Sequence, residues 1–211
     1  MTDKTTEAMT AGYVLAGGGS TRFGSDKALV NVGGTPMLAR MIVLLQVVTG
    51  DARIVGPPEK YAGSGIAVVP DRWPGEGPLG GIITALENTA TRDPRCQWNL
   101  IVGCDMPFLT RDWLSYLRER AAKCTARVLL PHSASGPEPL CACYRTDAAE
   151  RLRAVFEAGV RKITDALKQV KTEVLDEREG KRFDSAGRLF WNMNTAADYE
   201  EARRVLQAKQ G

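Results

Sequence analysis

The chain has 211 residues, and 44% of them are hydrophobic, which suits one globular domain with a substantial core. Basic residues exceed acidic ones by 28 − 25 = 3, and they are scattered among few aromatic residues, so nucleic acid binding is not favoured. No apolar run approaches the ~18 residues of a membrane helix. Residues 1–10 are polar and lack a signal-peptide core, so we expect a disordered tail over 1–10, a single domain over 11–211 and a cytoplasmic location.

Cysteine and histidine usage excludes several kinds of site. The cysteines lie at positions 96, 104, 124, 141 and 143, an odd number without a Cys-x-x-Cys pair, which argues against a disulfide framework or a zinc site. We expect Cys141 and Cys143 to be buried as small hydrophobic residues. His132 is the one histidine, and no Gly-x-Ser-x-Gly elbow is present, so a serine hydrolase site is not indicated.

A glycine-rich stretch near the start organises the chain. The apolar residues Tyr13 to Ala16 predict a buried first strand, and Gly17 to Gly19 follow it directly. Glycine allows close approach to a ligand, and successive N–H groups in such a turn can hold an anion. Arg22 and Lys27 add full positive charges. The stretch therefore predicts a phosphate-binding loop at the carboxyl end of a parallel strand.

Two common phosphate motifs do not fit this stretch. Gly19 and Gly24 have the spacing of a Walker A loop, but Ser25 follows instead of lysine, and a dinucleotide fingerprint from Gly17 would need glycine where Arg22 stands. What remains, from Leu15 to Lys27, is Leu-Ala-Gly-Gly-x-Ser-x-Arg-x-Gly-x-Asp-Lys. This pattern resembles the opening motif of nucleotidyltransferases, in particular the molybdenum cofactor guanylyltransferases.

Strand and helix patterns alternate along the rest of the chain. Strands are predicted at 52–55, 66–69, 98–104, 127–131, 139–144 and 172–175, and an extended piece at 27–32. Helices are predicted from a cap at Thr35 to about 48, and at 82–89, 110–123, 147–158, 161–170 and 195–208. This order predicts a three-layer α/β fold around a mostly parallel sheet whose later strands are mixed. The resemblance implies that it is the Rossmann-like nucleotidyltransferase fold.

Two acidic residues stand where predicted strands end. Asp71 opens a polar, glycine-rich loop to Gly81, which by itself fits either an anion site or an ordinary connection. Asp105 follows the apolar strand predicted at 98–104, which should be central, and a carboxylate there suits Mg²⁺ but also suits a turn. The segments Gly77-Pro-Leu-Gly-Gly-Ile82 and Cys104-Asp-Met-Pro-Phe108 both resemble segments of the same transferase family, the second its metal motif.

A third polar segment precedes the last predicted helix. Asn192 and Asn194 alternate along an extended stretch and should share a face, and Thr195 can cap the helix. Asparagines in this place also fit simple turn chemistry. Arg161 follows Gly159 at the predicted start of another helix and could add positive charge nearby. The resemblance places the Asn-x-Asn-Thr segment near the acceptor.

The resemblance runs from Tyr13 to the final helix and implies transfer of GMP from GTP to the terminal phosphate of molybdopterin, with Mg²⁺ as cofactor. It also implies transient contact with cofactor-biosynthesis proteins or acceptor molybdoenzymes, and no nucleic acid or membrane partner. The implied site residues fall into four groups: catalytic Arg22, Lys27 and Asp105; nucleotide-binding Leu15, Ala16, Gly17, Gly18, Lys27, Asp71 and Asp105; Asp105 as the metal ligand; and acceptor-binding Asn192, Asn194 and Arg161.

Three alternatives stay open. A molybdopterin cytidylyltransferase using CTP typically has Leu-Ala-Ala-Gly and Pro-Lys where this chain has Leu15-Ala-Gly-Gly18 and Asp26-Lys27. Sugar-phosphate nucleotidyltransferases are commonly longer, and a non-catalytic nucleotide-binding sensor or adaptor would not need Arg22, Lys27 and Asp105. The chain departs from the guanylyltransferase pattern at Gly56-Pro57-Pro58, where asparagine is frequent, so a nucleotide contact from that point is in doubt.

Overall fold

The computed structural model of the protein describes residues 9–17 and 27–208. The strands are β1 (Thr10–Leu15), β2 (Asn31–Val32), β3 (Thr35–Pro36), β4 (Ala52–Val55), β5 (Val68–Val69), β6 (Trp98–Gly103), β7 (Val128–Ser133), β8 (Gly136–Pro137), β9 (Cys141–Arg145) and β10 (Thr172–Leu175). The helices are α1 (Met37–Thr49), α2 (Pro58–Tyr61), α3 (Pro78–Arg92), α4 (Arg111–Ala122), α5 (Ala149–Glu157), α6 (Ile163–Leu167), α7 (Glu177–Lys181) and α8 (Ala196–Ala208). Gly18, Arg22 and residues 1–8 of the expected tail lie outside the described residues, and Thr10 already belongs to β1.

Eight of these strands form one mixed sheet in the order β10-β7-β9-β6-β1-β4-β5, with β8 beside β7, and β2 and β3 form a separate two-stranded sheet. Strands β6, β1, β4 and β5 run parallel, as do β10 and β7, whereas β9 is antiparallel to both of its neighbours. The prediction of a mostly parallel sheet with mixed later strands is confirmed. Because β1, β4 and β6 are parallel neighbours, their carboxyl ends meet at one edge of the sheet.

Helices cover both faces of the sheet, which confirms the three layers. Alternate residues of a strand point to opposite faces, so Leu100 and Val102 pack with α1 and α4, whereas Ile101 packs with α3 and α5. The fully buried pattern of β6 follows from its central place between two helical layers. None of the described helices is long and apolar enough to cross a lipid bilayer.

The cysteines behave as the sequence predicts. None of them forms a disulfide bond, and Cys141 and Cys143 are buried within β9. Burial raises the pKa of the Cys141 thiol to about 12, so this thiol stays protonated and unreactive at neutral pH.

Some predicted boundaries were wrong. Helix α3 begins at Pro78 rather than Ile82, because Gly77 adopts a positive φ of 94° as the N-cap and proline is well tolerated in the first helical turn. Helix α1 begins at Met37 with Pro36 as N-cap, and Thr35 instead pairs with Val32 in a hairpin. Residues 27–29 form a 3-10 turn rather than extended chain.

Candidate functional site

A pocket lies at the sheet edge where β1, β4 and β6 end, and we call it the edge pocket. Its lining includes the predicted site residues Leu15, Gly17, Asp71 and Asp105. The remaining lining residues are Val55, Gly75, Gly77, Pro78, Gly81, Gly103, Cys104 and Leu140. Five separate stretches of the sequence therefore converge here, as expected of a ligand site at the carboxyl edge of a parallel sheet.

The end of β1 forms one wall of the edge pocket. Gly17 is exposed, and a Cβ added to it would lie in ordinary contact distance of two neighbours, 3.7 Å from Asp71 Oδ2 and 3.9 Å from the Gly56 Cα. Ala16 is buried and does not line the pocket. Its amide donates to the Val55 carbonyl at 2.9 Å and its carbonyl accepts from the Tyr61 hydroxyl at 2.8 Å, which fixes the point where β1 ends.

Asp71 holds the turn that follows β5. Its Oδ1 accepts hydrogen bonds from the Trp73 amide at 3.0 Å and from the buried Thr84 hydroxyl at 3.3 Å. Its Oδ2 lies on the side of Gly17. One carboxylate oxygen thus braces the loop, and the other is placed toward the pocket.

The first turn of α3 forms the floor of the edge pocket. Gly81 packs against β1, since a Cβ there would lie 3.4 Å from Leu15 Cδ1. Gly80 lies under Trp73, with only 3.1 Å from its ideal Cβ position to the Trp73 Cβ. These glycines let the helix start approach the strand closely. A helix N-terminus beside a pocket favours an anionic ligand.

Asp105 forms the opposite rim, two residues after β6. Its carboxylate folds back over Gly103, because a Cβ on Gly103 would lie 2.9 Å from Asp105 Oδ1. The Gly103 amide donates to the Leu140 carbonyl at 2.8 Å, so β6 and the chain entering β9 hold this corner together. The contact with Gly103, which is itself hydrogen-bonded to Leu140, therefore helps to fix the position of the Asp105 carboxylate.

The oxygen donors of the edge pocket fit a magnesium ion. Asp105, the predicted metal ligand, lines it, and Mg²⁺ is commonly held by one or two carboxylates together with phosphate oxygens and water. Within the described ranges, no group of three or more His, Cys, Asp or Glu side chains forms a ready-made metal site. The donor set therefore suits a metal that arrives with a phosphate ligand better than a site closed by protein side chains alone.

The Asn-x-Asn segment passes beside the metal motif. The Met193 amide donates to the Asp105 carbonyl at 2.9 Å, and the Trp191 ring packs on Phe108 with centroids 5.5 Å apart. Asn192 Nδ2 donates to the Phe190 carbonyl at 3.1 Å. The two asparagines flank Met193, next to Asp105, although neither lines the edge pocket.

The predicted cap of the last helix is confirmed. Thr195 Oγ1 accepts from the Asp198 amide at 3.2 Å, and Asp198 Oδ2 accepts from the Thr195 amide at 2.7 Å. This reciprocal pair is a capping box. The same carboxylate oxygen accepts from the Asn194 amide at 2.8 Å, so the cap also fixes the backbone of the Asn-x-Asn segment.

Arg161 lies in a different place from the asparagines in this fold. Its Nε donates to Glu76 Oε2 at 2.7 Å, in the loop between β5 and α3. It precedes α6, which begins at Ile163 rather than at Arg161 as the sequence suggested. Arg161 is thus joined to the loop that follows Asp71, whereas Asn192 and Asn194 are joined to the Asp105 side.

The sequence missed several pocket residues. Leu140 and Gly103 are brought together where β6 pairs with β9, and a local sequence pattern cannot predict that pairing. The stretch Gly56-Pro57-Pro58 is where the resemblance predicts asparagine, and a side chain at Gly56 would meet the Ala16 carbonyl at 3.2 Å and the Tyr61 ring at 3.2 Å. In this chain the end of β4 contributes Val55 to the pocket.

Comparisons with known proteins agree with this geometry. Residues 12–172 match the model of the MobA-like NTP transferase domain. The chain is 36% identical to a probable molybdenum cofactor guanylyltransferase of Deinococcus radiodurans, with 89% of this chain and 91% of the relative covered. It is 34% identical to a molybdenum cofactor guanylyltransferase of Nitrobacter hamburgensis, with 93% and 94% covered. The structure of molybdopterin-guanine dinucleotide biosynthesis protein A from Archaeoglobus fulgidus superposes with a TM-score of 0.80 at 25% identity, over 94% of this chain and 99% of that one.

Proposed function

Because this chain belongs to the MobA-like NTP transferase family, we propose that it is a molybdenum cofactor guanylyltransferase, which transfers GMP from GTP to the terminal phosphate of molybdopterin and releases pyrophosphate. The observation that carries the proposal is the edge pocket. There Asp71 and Asp105 share a cleft with the backbone of Gly17 and the start of α3. Carboxylates beside exposed backbone and a helix N-terminus suit a nucleoside triphosphate and its accompanying cation.

The nucleotide side of the site is assigned to β1 and the loops around it. Leu15, Gly17 and Gly18 bring the backbone close to the nucleotide, and Ala16 contributes by fixing the point where β1 ends. The pocket-facing oxygen of Asp71 accepts a hydrogen bond from the base or the ribose. Lys27 holds the triphosphate, and Arg22 neutralises charge on the departing pyrophosphate. Gly18 and Arg22 lie outside the described residues, and the Lys27 side chain is not described, so the roles of all three rest on the sequence motif.

Asp105 is the residue assigned to Mg²⁺. A magnesium ion bound there would neutralise negative charge on the phosphate oxygens during transfer. The attacking group is already an anionic phosphate oxygen, so the chain needs no strong general base. The work left to its side chains is to align the two substrates and to stabilise the charge of an in-line transfer.

The acceptor is assigned to the side of the Asn-x-Asn segment. Asparagine side chains both donate and accept hydrogen bonds, which matches the amide-like edge of a pterin. The contact of Met193 with Asp105 supports this assignment, because it holds Asn192 and Asn194 beside the metal-binding residue. We further propose that the protein acts in the cytoplasm, in transient contact with proteins that supply the acceptor or receive the product.

The test is pyrophosphate release from GTP by the purified protein, with and without molybdopterin. The proposal predicts release that requires both substrates and Mg²⁺. A nucleotide-binding sensor or adaptor would bind GTP without release, and a sugar-phosphate nucleotidyltransferase would release pyrophosphate with a sugar phosphate instead. Either of those results would contradict the assignment.

A further inference from the structure

The loop between β5 and α3, residues 70–77, forms a large part of the edge pocket, to which it contributes Asp71, Gly75 and Gly77. Gly75 and Gly77 both have positive φ, 83° and 94°, so the loop takes a shape that glycine permits and most residues do not. A loop of this kind needs contacts from outside itself to hold one conformation.

Anchors to α3 hold the first half of this loop. The Arg72 amide donates to the Thr84 hydroxyl at 3.2 Å, and Asp71 Oδ1 accepts from the same hydroxyl. Trp73 then packs over Gly80, and its ring contacts Phe156 of α5 with centroids 5.2 Å apart. These contacts set the position of residues 71–73. Within the loop, the Glu76 amide donates to the Trp73 carbonyl at 3.1 Å, but none of these anchors to α3 and α5 contacts the Glu76 side chain.

Arg161 anchors the second half of the loop. Its ion pair with Glu76 joins the residue between Gly75 and Gly77 to the chain that follows α5. The guanidinium is itself held in place, since Nη1 donates to the Phe156 carbonyl at 2.6 Å and its carbon lies 3.9 Å from the centre of the Phe156 ring. A cation that caps the carboxyl end of a helix also interacts favourably with its dipole.

We propose that Arg161 is a positioning residue, which holds the residue 70–77 loop in the shape that forms the nucleotide pocket. This inference rests on the proposed function for its kinetic readout, and it assigns Arg161 to the nucleotide side of the site. The side chains of Arg161 and Glu76 are 43% and 51% exposed. The pair therefore adds little to global stability, because solvent screens it. Its effect is local: it lowers the freedom of a short glycine-containing segment at the pocket.

Kinetics of single and double variants test the proposal. For Glu76→Gln and Arg161→Gln, we expect KM for GTP to rise roughly three- to fivefold, the factor that an exposed ion pair can supply. We expect kcat and the KM for molybdopterin to stay within about twofold, because the affected loop is not on the acceptor side. The double variant should be no worse than either single one, since both remove the same contact. Lys168→Gln is the matched control. It breaks the exposed ion pair between Lys168, which follows α6, and Asp165 within α6, and it leaves the residue 70–77 loop unchanged.

Hydrogen exchange gives a readout that does not depend on activity. In the protein without ligand, both variants should exchange the amides of residues 75–77 faster than wild type, whereas the control should not. Unchanged exchange together with unchanged KM for GTP in Glu76→Gln would overturn the proposal. So would an Arg161→Gln variant that raised KM for molybdopterin alone, since that result would make Arg161 an acceptor contact. If wild-type protein failed to use GTP, the proposed function would fall, and the exchange data would still decide whether Arg161 holds the loop.

Discussion

The backbone amide of Met193 donates a hydrogen bond to the backbone carbonyl of Asp105 across 2.9 Å. This bond joins the segment before the last helix to the segment that follows the central strand β6. Met193 is almost fully buried, so its side chain anchors the contact in the core. The residue assigned to the metal and the pair assigned to the acceptor are thus parts of one rigid corner.

The first prediction follows from this corner. Asp105→Asn keeps the backbone carbonyl that receives the Met193 hydrogen bond, so the fold and the Asn-x-Asn segment should stay in place. It removes the anionic ligand, and we expect turnover to fall by roughly 10²-fold or more, the scale of a large electrostatic contribution. Steady-state rates with Mg²⁺ and a thermal melt measure both effects. Near wild-type turnover would show that another residue binds the metal.

The second prediction concerns the glycine beneath that carboxylate. In Gly103→Ala, the added Cβ would start 2.9 Å from Asp105 Oδ1, so the carboxylate must shift. We expect a loss of kcat of about tenfold or more, since small misplacements of catalytic groups are costly. Gly63→Ala is the matched control, because no heavy atom lies within 4 Å of the Cβ that it adds. Equal kcat values for the two variants would show that the position of Asp105 does not matter.

The third prediction concerns the wall of the pocket at Gly17. A Cβ there meets Asp71 Oδ2 at 3.7 Å, an ordinary contact, so Gly17→Ala should fold with an unchanged melting temperature. The methyl group would occupy space on the pocket side, and we expect GTP binding to weaken by on the order of 1 kcal/mol or more, as in other overpacked sites. Calorimetric titration with GTP measures this change. Wild-type affinity would remove the end of β1 from the nucleotide site.

The fourth prediction separates the acceptor from the nucleotide. Asn192→Ala combined with Asn194→Ala should impair transfer to molybdopterin and leave GTP affinity nearly intact. The cap of the last helix does not depend on either side chain, because Thr195 and Asp198 form it, so the melting temperature should also hold. Loss of stability would assign the asparagines to the turn alone, and loss of GTP affinity would place them on the nucleotide side.

The sequence predicted the three layers and the mostly parallel sheet correctly, for a physical reason. Apolar runs such as Trp98 to Gly103 and the glycines after Leu15 are local patterns, and strand order then brings their ends together. The structure of the residues around Asp71 was harder to predict from the sequence. Helix α3 begins four residues before the expected Ile82. Gly77 is its N-cap and Pro78 its first residue, and in a sequence glycine followed by proline is more typical of a loop.

Contacts between residues far apart in the chain could not be predicted from local sequence patterns. The contact of Leu140 with Gly103 depends on β9 inserting antiparallel between β6 and β7, and the pair of Arg161 with Glu76 spans 85 positions in the chain. The charge of Arg161 was visible in the sequence, but its partner was not. The sequence therefore suggested an acceptor role, whereas the fold joins this residue to the loop beside Asp71.

Guanylyl transfer to molybdopterin is tested most directly by identifying the nucleotide in the product. Purified protein would be given molybdopterin, Mg²⁺ and GTP, CTP, ATP or UTP in turn, and the nucleotide attached to the pterin phosphate would be identified and its rate of formation measured. We expect guanylylated product, formed well ahead of any cytidylylated product. Comparable rates with GTP and CTP, or a preference for CTP, would contradict it.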